Sequence, residues 1–142
     1  MHRYSYSISL RAWHPSIDPE AITKGFGKTP ARTWRAGDPR STPKGTPLEG
    51  QYKETYWYTV LVSNEEGESD FNSLEDKLAY LAHGLAQHSE FIATLRAGGG
   101  HAELFIGLYG DRNFGFELPP QTIGAVASIG LSLSFDIYPG PA

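Results

Sequence analysis

The chain of 142 residues has no cysteine. That excludes disulfides, thiolate nucleophiles and cysteine-ligated metals, and it fits a reducing compartment. Long apolar runs are also missing: no stretch approaches the ~18–20 residues of a membrane span. The opening MHRYSYSISL lacks the apolar core and small-residue cleavage site of a signal peptide. A soluble cytoplasmic protein with no membrane partner is the expectation. Positive charge is scarce overall, with a net charge of −4. General nucleic-acid affinity needs a basic face to displace counterions, so nucleic acid is an unlikely partner. What remains is ordinary globular material, 39 % hydrophobic and 20 % charged, of a length suited to a single domain over residues 1–142.

The charge is unevenly placed. From Lys24 to Lys53 there are seven cations and two anions, whereas Asn64 to Asp76 holds six acids and no base. The two segments could pair within one chain or between copies. The basic segment contains the long Pro/Gly-rich loop 28–53. Five glycines and four prolines between Gly25 and Gly50 interrupt every candidate element there. A connection of that length in a compact domain is either functional or partly mobile.

Elsewhere the periodicity is informative. Tyr4, Tyr6, Ile8, Leu10 and Ala12 alternate with Ser5, Ser7, Ser9, Arg11 and Trp13, which predicts a half-buried strand. SIDPEAITKGFG predicts a short helix with Asp18 as N-cap, Pro19 in the first turn and Gly25 or Gly27 as its stop. TYWYTVLV, Thr55 to Val62, lacks clean alternation and predicts a central strand covered on both faces. Leu74, Leu78, Leu81 and Leu85 mark a helix capped by Asn72 or Ser73. Ser89 is expected to cap a second short helix. AELFIGLYG predicts a strand, GDRN a turn and FGFEL a short extra strand. Pro119 and Pro120 open a helix, and LSLSFDIY closes the chain with Leu131, Leu133, Phe135 and Ile137 inward.

This order predicts an α+β fold: a mainly antiparallel sheet of four to five strands with helices packed on one face, distantly ferredoxin-like through a split βαβ unit. The alternative is α/β with a mixed sheet.

No catalytic motif stands out. GFGKT lacks the earlier glycine and the strand-then-helix setting of a phosphate-binding loop. His83 and His88 are five apart, so they do not share a helical face as two metal ligands would. No Gly-x-Ser-x-Gly elbow occurs. No catalytic residue, metal or cofactor is therefore assigned. Two features carry binding potential. One is a polar floor, made of the serines of the first strand and of Ser132, Ser134 and Asp136 if the two strands are neighbours. The other is the loop, where Arg32, Arg35 and Arg40 offer bidentate forks for a carboxylate or phosphate and Trp34 offers an anchor.

LSLSFDIYP after a proline-opened helix, LEDKLAYLAHGL, SISLRAWHPSIDPEAIT and RTWRAGDPR together resemble a bacterial family, the domain-of-unknown-function family numbered 4279. The resemblance runs from about Tyr4 to Tyr138. It implies a small α+β bacterial protein and supplies no activity and no catalytic residues. The sequence thus favours a non-enzymatic binding or protein-interaction module, engaging another protein or itself as a homodimer. The rival is a small-ligand-binding protein or enzyme with a pocket between the polar sheet face and loop 28–53, using Arg35, Arg40 and Asp136. A nucleic-acid accessory role for the basic loop is the third and weakest reading.

Overall fold

The computed structural model describes residues 3–67 and 73–140. Its centre is β1 (Tyr4–His14), whose side chains alternate as the sequence dictates: Tyr4, Tyr6, Ile8, Leu10 and Ala12 are buried and the intervening residues are half-exposed. α1 (Pro19–Phe26) follows, with the Asp18 side chain accepting from Glu20 N at 3.0 Å and Gly27 closing it at φ 63°. Next come β2 (Arg32–Trp34), β3 (Pro39–Ser41), β4 (Pro47–Gln51) and the long β5 (Thr55–Gly67). α2 (Leu74–Leu85) is capped by Ser73, which accepts from Asp76 N at 3.2 Å; Asn72 lies outside the described residues. A single 3-10 turn, Ala86–His88, joins α2 to α3 (Ser89–Ala97). The chain ends with β6 (His101–Gly110), α4 (Pro120–Ser128) and β7 (Ser132–Pro139).

The five-stranded sheet has the order β2-β5-β1-β6-β7, and β3 pairs with β4 in a separate hairpin. All pairs are antiparallel except β6 with β7. Since β5 and β6 both run antiparallel to β1, they are parallel to each other with β1 between them. The chain from β5 through α2 and α3 to β6 is therefore a split βαβ unit, and β6-α4-β7 is an adjacent one. The fold is α+β, an open and mostly antiparallel sheet with its helices on one side.

The core lies between that helical layer and one sheet face. Ile22 and Phe26 of α1, Leu74, Leu78, Ala82 and Leu85 of α2, Ile92 and Leu95 of α3, and Val126 of α4 meet the inward row of β1 together with Trp57, Leu104, Ile106 and Leu108. Each such large side chain is worth about 1.5–3 kcal/mol of burial, so the core and the helix positions are set together. Trp57 also donates from Nε1 to Thr23 Oγ1 at 3.0 Å, tying β5 to α1. Among the described residues no helix is long and apolar enough to cross a membrane.

Several local expectations need correction. Loop 28–53 contains three short strands: β2 joins the sheet edge, and β3 and β4 form a hairpin with Gly45 at φ 90° in its turn. Its short strands fell below any detectable period. β5 is not covered on both faces; Trp57 points to the core while Tyr56 and Tyr58 stay half-exposed opposite. Ser89 is the first residue of α3 rather than its cap, because the 3-10 turn feeds the helix directly and no side chain caps it. FGFEL forms no strand: Phe114, Phe116 and Leu118 pack singly against the core, with Phe114 stacked on Tyr4 at 5.2 Å. Of the four residues expected inward at the last strand, Leu131, just before β7, is buried and Leu133 is half-buried. Phe135 and Ile137 remain 39 % and 62 % exposed, since an edge strand outruns its helical cover.

Candidate aromatic binding face

The sheet face turned away from the helices is where the sequence's polar residues collect. Cross-strand register arranges it in rows. One row runs Trp34, Tyr56, Trp13, His101; the next runs Arg32, Tyr58, Arg11, Glu103, Ser132. Beyond them lie Val60, Ser9, Phe105 and Ser134, then Ser7, Gly107 and Asp136. β1 and β7 are not neighbours. β6 separates their serines with Phe105, Gly107 and Tyr109, so the expected continuous polar floor is split in two.

The first two rows make a ladder of rings. Tyr52 stacks on Trp34 at 4.0 Å, Trp34 meets Tyr56 at 4.6 Å, Tyr56 meets Trp13 at 5.3 Å, and Trp13 stacks on His101 at 4.5 Å. Arg11 places its guanidinium 4.8 Å from the Trp13 ring and 4.1 Å from Phe105, and Arg32 lies 5.0 Å from Trp34. Rings and guanidinium planes attract because the ring face is electron-rich. Arg11 also pairs with Glu103 at 3.7 Å, a carboxylate whose side chain is only 9 % exposed. Arg11 Nε and Glu103 Oε2 are buried without a hydrogen-bond partner among the described residues. Burial pushes the Tyr56 phenol above its ordinary range, while the Arg11 charge pulls it the other way.

The ladder is held rigidly at the β2 end. Trp34 Nε1 donates to Glu54 O at 3.0 Å, Arg32 Nη2 donates to Ser41 O at 2.8 Å, and the Tyr52 hydroxyl donates to Ser41 O at 2.8 Å. These bonds fasten the β3-β4 hairpin to the sheet margin. Arg40 Nη1 donates to Glu49 O at 3.1 Å, and Arg35 pairs with Asp18 at 3.6 Å. The loop arginines thus bind their own hairpin and the α1 cap rather than the acidic segment, of which Glu68 and Asp70 lie outside the described residues.

Of the residues singled out from sequence, Arg32 and Trp34 belong to this face, Arg35 lies in the turn between β2 and β3, and Arg40 is on the adjoining hairpin. Ser134 and Asp136 sit on β7 at the opposite edge. Four strand spacings of about 4.8 Å separate β2 from β7, roughly 19 Å. A groove of about 450 Å³ follows the hairpin, lined by Arg40, Glu49, Gly50, Gln51, Tyr52 and Lys53. Asp136 is at the opposite edge of the sheet from it and accepts instead from the Tyr138 hydroxyl, which raises the Tyr138 pKa. Sequence reasoning missed Tyr52, Tyr56, Tyr58, His101, Phe105 and the Arg11–Glu103 pair. The available signal was the i, i+2 spacing of Tyr56 with Tyr58 and of His101, Glu103 and Phe105.

A family model described as a domain of unknown function, DUF4279, matches residues 2–140. No curated protein and no solved structure matches the chain. With the match spanning nearly all of its length, the chain belongs to the DUF4279 family.

Proposed function

We propose that this protein is a non-enzymatic binding module that captures another protein on the aromatic face of its sheet, in the bacterial cytoplasm. One observation carries the reading: five rings, each touching the next and spanning β2, β5, β1 and β6, lie on a face that no helix among the described residues covers. Aromatic side chains bring large contact area with few rotamers to freeze, which is why they dominate interaction hot spots. Arg11 and Arg32 lie against ring faces and disfavour a cationic ligand. They suit an uncharged or acidic partner segment with apolar groups to lay on the rings.

Selection of a random peptide library on the immobilised protein tests this. Peptides should be enriched, and Trp13→Ala/Tyr56→Ala should weaken their binding at least tenfold while the circular dichroism spectrum is retained. Peptides that bind the double variant as tightly as the parent would show that the face is plain sheet surface.

A further inference from the structure

The two edges of the sheet are built in opposite ways. β2 is three residues long, and the β3-β4 hairpin is fastened against it through Arg32 and Tyr52. A short, covered edge is a protected edge. β7 is eight residues long, and among the described residues nothing pairs with its outer side. It carries one charge, Asp136, and no lysine, and it leaves Phe135, Ile137 and Tyr138 39 %, 62 % and 43 % exposed. The helix beside it, α4, leaves Ile123 49 % exposed.

Charge placement singles out the same surface. In a chain where 20 % of residues are charged, the 18 residues from Leu118 to Phe135 contain no Asp, Glu, Lys, Arg or His. That run is not interior: Gln121, Ile123, Gly124, Ala127, Ser128, Ser132 and Phe135 are all exposed. Loss of charge from an exposed helix and the edge strand beside it is the composition of an interface centre, not of a solvated surface.

We infer that β7 pairs antiparallel with β7 of a second copy, joining two sheets into one of ten strands with α4 of each copy flanking the seam. A second copy is the occupant because the edge is self-complementary. A two-fold axis through Phe135 sets Ser132 opposite Tyr138, Leu133 opposite Ile137 and Ser134 opposite Asp136. The two Asp136 carboxylates then avoid each other, whereas an axis through Asp136 would oppose them directly. The same register makes one apolar strip of Leu133, Phe135 and Ile137 from both copies on the helical side. A heterologous partner would need no such symmetry, and the single charge it could answer on this strand, Asp136, is already engaged by the Tyr138 hydroxyl. The inference goes beyond the aromatic-face reading, which concerns the opposite sheet face.

Sedimentation of the purified full chain tests it. The protein should sediment at twice 15.6 kDa, and Phe135→Lys and, separately, Ile137→Lys should each shift it to the monomer with an unchanged circular dichroism spectrum. Ile137 is 62 % exposed, so its change leaves the core untouched; Phe135 is 39 % exposed and stacks on Phe116, so the Ile137 variant is the control for lost packing. The absence of native cysteine allows a second readout. Across the two-fold axis the paired Cα atoms would stand about 4.5–5.5 Å apart, within disulfide reach. Phe135→Cys should therefore form a covalent dimer under mild oxidation, and Tyr80→Cys on α2 should not. A monomeric parent, a dimer indifferent to both lysine variants, or equal cross-linking at residues 80 and 135 would overturn the inference.

Discussion

Two buried polar arrangements make the residue scale the sharpest place to test the structure. Tyr6 is fully buried in the inward row of β1, and burial pushes its phenol from 10.0 up to about 12. Below pH 10 the phenol is neutral in both folded and unfolded chains, so its contribution is complete. Between 10 and 12 the unfolded chain ionises and the folded one does not, so stability falls with rising pH. The loss is on the order of 2–3 kcal/mol for a shift of this size. Melting temperature should hold level to about pH 10 and then drop, and Tyr6→Phe should flatten that drop; an identical alkaline limb in the variant would assign it elsewhere. Arg11 and Glu103 give a second test. Removing one partner strands the other in a largely dry site, whereas removing both does not. Denaturant melts should show Glu103→Leu and Arg11→Met each costing about 1–3 kcal/mol, and the double variant costing less than their sum. Simple additivity would mean that the pair is not coupled.

At the scale of elements, glycines report how tightly the layers meet. A Cβ at Gly100, between α3 and β6, would stand 2.4 Å from Trp13 O and 3.0 Å from Leu95 O, both backbone atoms that cannot swing aside. Gly84, inside α2, has nothing within 4 Å. Gly100→Ala should therefore destabilise by about 1–3 kcal/mol, and Gly84→Ala should stabilise by up to about 1 kcal/mol through helix propensity. Thermal melts read both, and equal effects of one sign would contradict the packing described. Elements with many periods were legible in the sequence: β1 from its alternation, α1 from Asp18, Pro19 and Gly27, and α2 from its leucines. Those whose definition is tertiary were not. β2, with three residues, exists because Arg32 and Trp34 pair across to Tyr58 and Tyr56 of β5, a relation that no local pattern encodes. The aromatic ladder was hidden for the same reason. Its rings come from four strands and the β4–β5 connection, and only the register of β1 between β5 and β6 brings Trp13 beside Tyr56 and His101. Phe135 failed in the opposite direction: its alternation placed it inward, yet it stays 39 % exposed at the open edge, stacked on Phe116 at 5.7 Å.

For the whole molecule, the one-sided helical layer has a simple consequence. Among the described residues half of the sheet's side chains have no partner layer, and this chain fills that half with aromatic rings and arginines near β2 and β5 and with small polar residues near β7. The arginines there are held by their own carbonyls and rings, so affinity rests on ring surface more than on charge and should depend weakly on salt. Amide shift mapping by NMR, with a library-selected peptide titrated into the labelled full chain, is the most direct test of the aromatic face as the binding surface. Saturating shifts should gather at Trp13, Trp34, Tyr56, Tyr58, His101 and Phe105, with α2 and α3 unmoved. Shifts centred on the helical layer or on the Arg40 groove, with the ring ladder silent, would contradict it.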